Sequence, residues 1–167
     1  MFIDGLVDTF CHTLDDKKRL TIPREWRDAL GWRGDDSGTD YIYVFPNETE
    51  DCLDLVPVAE VRKIVAEISS GDILSNNPVA TAIARNAQML KIDKAGRIRI
   101  GDALLAFAGI KGRNGEEVTL EGSFNKAHVW AGRKRPKSGG IDVAAFRAAL
   151  AGRKAAKAAA ETGDVRR

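Results

Sequence analysis

The sequence predicts an α+β, mainly β protein built from two tandem copies of one small unit, a helical connector between them and a basic helical tail. Three observations predict this: a nine-residue pattern that occurs twice, the same order of elements after each occurrence, and an abrupt change of composition near residue 132. The expected divisions are 1–57, first unit; 58–89, connector; 90–131, second unit; 132–167, basic linker and helical tail.

The repeat is visible when Leu14-Asp15-Asp16-Lys17-Lys18-Arg19-Leu20-Thr21-Ile22 is set above Ile92-Asp93-Lys94-Ala95-Gly96-Arg97-Ile98-Arg99-Ile100. Asp15 falls on Asp93 and Arg19 on Arg97. Leu14, Leu20 and Ile22 fall on Ile92, Ile98 and Ile100. Pro23 to Leu30 reads as a short helix, with proline at its first turn and Gly31 as its stop. Asp102 to Ala108 reads as another, with Asp102 as cap and Gly109 as stop. Strand-like runs follow each helix: Tyr41–Phe45 and Cys52–Val56, then Val118–Leu120 and Ala127–Trp130. A unit of about 50 residues has too little interior to fold securely alone, so two copies are expected to share a core as a pseudo-dimer. In the connector, Val58, Val61, Ile64, Val65 and Ile68 form a helical stripe. Gly71 interrupts it, and Asn77-Pro78 starts a second helix with Asn77 as cap and Val79, Ile83 and Ala87 along its apolar face.

Composition excludes several classes. Hydrophobic residues make up 44% of 167, enough for a packed core. No apolar run is long enough to span a membrane. Met1–Phe10 has two aspartates and no basic residue, so it does not read as a secretory signal, and a cytoplasmic protein is expected. Cys11 and Cys52 read as half-buried thiols outside any disulfide. The net charge of +2 conceals an asymmetry. Residues 1–132 hold 16 basic and 21 acidic side chains, whereas 133–167 hold 10 and 3. Such a basic tail suits a polyanion and equally suits a solubilising extension. Within it, Arg133–Gly140 reads as a basic linker, and Asp142 can cap a helix through Val143, Phe146, Ala149 and Leu150, solvated in its last turns.

Each repeat places a charged turn between two amphipathic strands. Strand side chains alternate faces, so with Leu14, Leu20, Ile22 and their counterparts facing the core, Asp15, Arg19, Asp93 and Arg97 face outward. An exposed guanidinium can grip guanine O6 and N7 together, or a phosphate, and a nearby carboxylate can hold it ready. Lys17, Lys18, Lys91, Lys94 and Arg99 suit phosphate contacts, which position a protein without reading sequence. A single hairpin of this kind would be an ordinary surface ion pair. The same outward pattern in both copies is what a core alone does not require.

No catalytic constellation accompanies these turns. Cys11-His12 lacks metal-ligand spacing to any other cluster, and His12 reads as a strand residue with a packing or surface role. Asp35–Asp40 lacks the terminal glutamate of a calcium loop and reads as a turn. Trp26, Trp32 and Trp130 read as core or interface anchors. No catalytic residue, metal site, cofactor or small-molecule substrate is expected.

The two turns, together with Gly122-Ser123-Phe124-Asn125-Lys126, Trp130, Met1-Phe2 and Gly5, resemble the MraZ family over about residues 1–131. Thr13–Pro23 is similar to that family's first Asp-x-Lys-Gly-Arg turn and its proline, and Ile92–Ile98 to its second Asp-x-x-Gly-Arg turn. The resemblance implies two AbrB/SpoVT-like swapped-hairpin β-barrel units and a bacterial transcriptional regulator, cytoplasmic and nucleoid-associated. It also implies a ring-shaped homo-oligomer that binds double-stranded DNA at direct repeats upstream of division and cell-wall genes, including its own operon. It assigns DNA contact to Lys17, Arg19 and Arg97, with Asp15 and Asp93 orienting them. Rivals are an AbrB-like antitoxin, which usually has one unit per chain, and a ring-forming assembly protein whose tail docks a protein partner. Lys18 stands where the family has glycine, at a cost of roughly 1–2 kcal/mol if that position is left-handed. Ala95 stands opposite Lys17, and the long basic tail lies outside the family's pattern.

Overall fold

The computed structural model describes residues 5–34, 40–68, 78–132 and 143–163. Contacts gather Met1–Lys134 into one compact unit and Arg135–Arg167 into another. The first unit runs β1 (Thr9–Thr13), β2 (Arg19–Thr21), α1 (Arg24–Ala29), β3 (Tyr41–Pro46) and β4 (Leu53–Pro57). Helices α2 (Val58–Ile68) and α3 (Pro78–Asn86) follow. The same order then returns as β5 (Gln88–Lys91), β6 (Arg97–Arg99), α4 (Asp102–Phe107), β7 (Glu117–Gly122) and β8 (Ala127–Ala131). The second unit holds α5 (Val143–Gly163).

Strand pairing crosses between the repeats. The larger sheet has the order β1-β7-β8-β4-β3-β5, and β2 pairs with β6 in a separate ribbon. Each repeat's first strand therefore pairs with the other repeat's third strand: β1 with β7, Phe10 opposite Leu120, and β5 with β3, Gln88 opposite Val44. In the centre, β4 meets β8, with Asp54 opposite His128. This exchange is the tandem swapped-hairpin fold, and it explains why neither copy has a core of its own.

Leu14, Leu20, Ile22, Ile92, Ile98 and Ile100 are all buried, with at most 2% exposure. They form one cluster with Trp26, Ile42, Val44, Leu53, Leu55, Val118, Leu120 and Val129. Burying each aliphatic side chain contributes about 1.5–3 kcal/mol. The helix ends match bond for bond. Leu30, Gly31 and Trp32 N–H groups donate to the carbonyls of Trp26, Asp28 and Arg27; Ala108, Gly109 and Ile110 donate to those of Leu104, Ala106 and Leu105. Gly31 and Gly109 take φ of 68° and 69°, the left-handed stop read from the sequence. Trp26 fills the core edge-on to Phe10, and its indole N–H donates to the Val7 carbonyl at 2.6 Å.

Some expectations need adjusting. Asp102 is not the cap of α4; Gly101 occupies that position without a side-chain bond. Asp102 begins the first turn, which leaves its carboxylate free to reach Lys18. The strand β5 takes Gln88 and Met89 from the expected connector, because they complete the edge pairing with β3. The thiols are not both half-buried: Cys11 is exposed and Cys52 wholly buried, and neither forms a disulfide. Gly71, Asn77, residues 35–39, the basic linker 133–140 and Asp142 lie outside the described residues. Phe146, Ala149, Leu150 and the other described side chains of α5 are exposed. No helix among the described residues is long and apolar enough to cross a membrane.

Candidate nucleic-acid interface

The Asp15–Arg19 and Asp93–Arg97 turns are built by the same four contacts. Asp15 Oδ1 accepts the N–H groups of Lys17 and Arg19 at 2.9 and 2.8 Å. Its Oδ2 accepts Arg19 Nε–H at 2.6 Å. The Lys18 N–H closes the turn onto the Asp15 carbonyl at 3.1 Å. In the second copy, Asp93 Oδ1 accepts Ala95 and Arg97 N–H at 2.9 Å, and Oδ2 accepts Arg97 Nε–H at 2.9 Å. Gly96 N–H closes that turn onto the Asp93 carbonyl at 2.8 Å. Aspartate is the residue that does this, because one short carboxylate can accept two backbone N–H groups and still present an oxygen to the arginine.

The ribbon places the turns side by side. Leu20 lies opposite Ile98, Arg19 opposite Arg99 and Thr21 opposite Arg97. Each guanidinium then meets the other repeat's carboxylate: Arg19 Nη1 lies 3.9 Å from Asp93 Oδ2, and Arg97 Nη1 lies 3.8 Å from Asp15 Oδ2. These distances are ion pairs, longer than hydrogen bonds. Two aspartates and two arginines thus form a charge-neutral quartet across the repeats, half-buried, with the arginine side chains 24% and 32% exposed. Partial loss of hydration pushes both aspartate carboxyls up. The backbone N–H and guanidinium of the paired arginine, with the turn's other N–H, outweigh it and hold both below the ordinary carboxylate range.

The remaining cations differ in what holds them. Lys18 donates to Asp102 across the repeats at 2.8 Å, and this bond holds the Asp102 carboxyl low. Lys17, Lys94 and Arg99 are exposed around the quartet. Arg99 acts on Asp102 only through its charge. Lys91 is exposed at the end of β5.

The structure thus brings together Asp15, Arg19, Asp93 and Arg97, and sets Lys18 against Asp102. The cross-pairs were not legible in either repeat, since each joins residues 74 or more apart. Only the strand exchange brings them together. The Gly122–Lys126 segment has another task. Leu6 and Phe124 exchange both backbone hydrogen bonds at 2.7 Å, which ties the start of the described chain to the β7–β8 turn. Trp130 is half-buried, its indole N–H donating to Glu121 at 3.0 Å.

No protein-family model matches the chain. The chain is 32% identical over 130 residues to the transcriptional regulator MraZ of Methylocella silvestris, covering 77% of this chain and 74% of that protein. It is 34% identical over 122 residues to the transcriptional regulator MraZ of Pseudoalteromonas translucida, covering 71% and 74%. Against that of Salmonella typhi it is 34% identical over 121 residues, covering 70% and 73%. These relatives are named as regulators, not as enzymes. With the swapped double unit and both Asp–Arg turns in place, the chain belongs to the MraZ family of transcriptional regulators.

Proposed function

We propose that the chain regulates transcription by binding double-stranded DNA in a sequence-specific way through the face formed by its two Asp–Arg turns. The observation that carries this reading is the doubled, bond-for-bond equal turn whose two guanidinium groups are fixed in place before any ligand arrives. Fixing them lowers the entropy lost on binding. Their Nε groups are committed to Asp15 and Asp93, while their Nη groups, beyond hydrogen-bond reach of the carboxylates, are the donors available to a base edge. Because the quartet is neutral, attraction to phosphate falls to Lys17, Lys94 and Arg99, with Lys91 at the margin and Lys18 engaged by Asp102.

In the same reading the chain is cytoplasmic and nucleoid-associated. It assembles into a ring-shaped homo-oligomer and binds direct repeats upstream of division and cell-wall genes, including its own operon. Weak single-turn contacts add in such a ring, since each raises the effective concentration of the next. Support for self-assembly comes from apolar side chains left outside the core: Val65 is 50% exposed and Met89 56%, beside a groove lined by Tyr41, Tyr43, Val58 and Val61. The tail adds sequence-independent affinity. Over its described span, α5 carries Arg147, Arg153, Lys154 and Lys157 against one acid, Glu161.

The test is a gel shift on the DNA upstream of the protein's own gene at two salt concentrations. Binding weakens steeply as salt rises. Arg19→Ala/Arg97→Ala abolishes sequence preference while the protein stays folded and oligomeric, and full-strength specific binding by that variant ends the reading. The closed quartet favours a second reading, in which both arginines only join the repeats. The variant then loses thermal stability and keeps its sequence preference. Deleting 133–167 lowers affinity alike on all sequences, and a loss confined to the specific site counts against a general role for the tail.

A further inference from the structure

We propose that Cys52, Asp54 and His128 form a zinc site at the central joint between the two repeats. One donor atom from each lies within 4.8 Å of the other two. Asp54 and His128 are paired across β4 and β8, with His128 Nδ1 2.8 Å from Asp54 Oδ1. Cys52 lies in the bend just before β4, and its buried Sγ is brought to the same cluster as the Asp54 carboxylate and the His128 ring. The site is remote in the chain and none of its groups takes part in the Asp–Arg quartet.

The donor set selects the metal. A thiolate, an imidazole and a carboxylate suit zinc, whereas calcium and magnesium take oxygen ligands. Zinc bonds of about 2.0–2.3 Å in a tetrahedron require ligand atoms roughly 3.3–3.7 Å apart. The Oδ1–Nδ1 contact would open by about half an ångström to admit the ion, a shift available to a side-chain rotation. The surroundings are those of a held ligand. Lys126 Nζ donates to the other Asp54 oxygen at 3.0 Å, and Asn47 Nδ2 donates to Oδ1 at 2.9 Å. Such outer bonds orient a coordinating carboxylate. Lys126 and His128, 38% and 20% exposed, give the ion an entry side, while Cys52 closes the inner wall.

On binding, the Cys52 S–H bond breaks, its proton leaves to solvent and an Sγ–zinc bond forms. His128 coordinates through Nδ1 with its proton on Nε2. Thiolate and carboxylate balance the two charges of the ion, and the fourth position is left to water. One ion then bridges the repeats at β4 and β8, and stabilises the folded chain by mass action.

The alternative is that Asp54 is only a hydrogen-bonded hub, in which case Cys52 has no part. The experiment separates the two. The full chain, stripped with a chelator and kept reduced, is titrated with Zn²⁺ by calorimetry and with Co²⁺ by absorption. The expected result is one equivalent of zinc, a rise in Tm, and a thiolate-to-cobalt charge-transfer band. Cys52→Ser loses that band, and His128→Gln weakens zinc binding at least about tenfold. Cys11→Ser, altering the exposed thiol beside His12, leaves both unchanged. If Cys52→Ser does not fold, His128→Gln and the wild-type cobalt spectrum decide. A wild-type chain with no thiolate band, or a band that disappears with Cys11→Ser instead, overturns the proposal.

Discussion

The two charged turns are built by the same four contacts but are held in place differently, and the difference centres on the left-handed residue before Arg. In the first turn it is Lys18, φ 58°; in the second it is Gly96, φ 78°. Lys18 reaches outward, its stem over Gly112 and its ammonium on Asp102 of the other repeat. Gly96 is reached into: Arg27 of the first repeat lies over it, and its guanidinium carbon sits 4.9 Å from the centre of the Trp32 ring. Each turn is therefore held by the opposite repeat, once by its own side chain and once by a neighbour's. A duplicated scaffold can keep its backbone geometry while the two copies solve the same covering problem from opposite directions.

The largest expected effect tests what the copies share. Leu20 and Ile98 are wholly buried and directly opposed in the ribbon. Leu20→Ala and Ile98→Ala should each cost about 3 kcal/mol, by lost transfer energy and a residual cavity. Urea unfolding measures both. A cost twice as large in one as in the other breaks the equivalence of the two ribbons.

The second effect tests where they differ. At Gly96 a Cβ would collide with the Arg27 guanidinium, at a positive φ that L-residues avoid. Gly96→Ala should cost about 1–2 kcal/mol in backbone strain and push Arg27 off Trp32, at about a further 0.5–1 kcal/mol. Unfolding measurements on Gly96→Ala in the wild-type and Arg27→Ala backgrounds separate the two parts. An identical cost in both backgrounds shows that the arginine yields freely.

Much of this was legible in the sequence because the informative residues are local. The Asp–Arg spacing, the alternation of Leu20 and Ile22 with Arg19 and Thr21, and the glycine stops at Gly31 and Gly109 are all short-range signals. What was not legible is long-range. Nothing within residues 9–13 says that β1 pairs with β7 rather than with its own repeat, since either pairing buries Phe10; the family resemblance supplied the swap. The Lys18–Asp102 pair, the crossed arms of the quartet and the Cys52–Asp54–His128 cluster all follow from that exchange. The start of β5 was missed for a different reason. Ile83 and Ala87 continue a helical stripe up to Gln88, and only the edge of β3 converts the next residues into strand.

Acid should affect both turns together. Asp15 and Asp93 are held below their ordinary value, so the unfolded chain binds protons first as pH falls. The quartet's contribution is complete above about pH 3.9, the ordinary aspartate value. It is lost as pH drops from there through the lower folded values. Carbon-detected titration of the two carboxyls should show both protonating below that value, each perturbed by the other because they share two arginines. Titration at the ordinary value would mean that the bonds within each turn do not persist in solution, and titration of one carboxyl unaffected by the other would mean that the crossed pairs do not form.

The smallest effect concerns Lys18. Glycine there relieves the left-handed strain, about 1 kcal/mol net of the greater freedom it gives the unfolded chain. Against this, Lys18→Gly removes the Asp102 ion pair and uncovers Gly112. Because that pair is exposed on the Asp102 side, water and salt screen it, and the strain term should prevail: Lys18→Gly raises Tm slightly, more so at high salt. Lys18→Ala keeps the strain and loses the pair, so it should lower Tm, and its deficit should shrink as salt rises. If Lys18→Gly is instead the less stable at every salt concentration, the lysine is retained for what its stem packs against, and the first turn owes its shape to the opposite repeat as much as the second does.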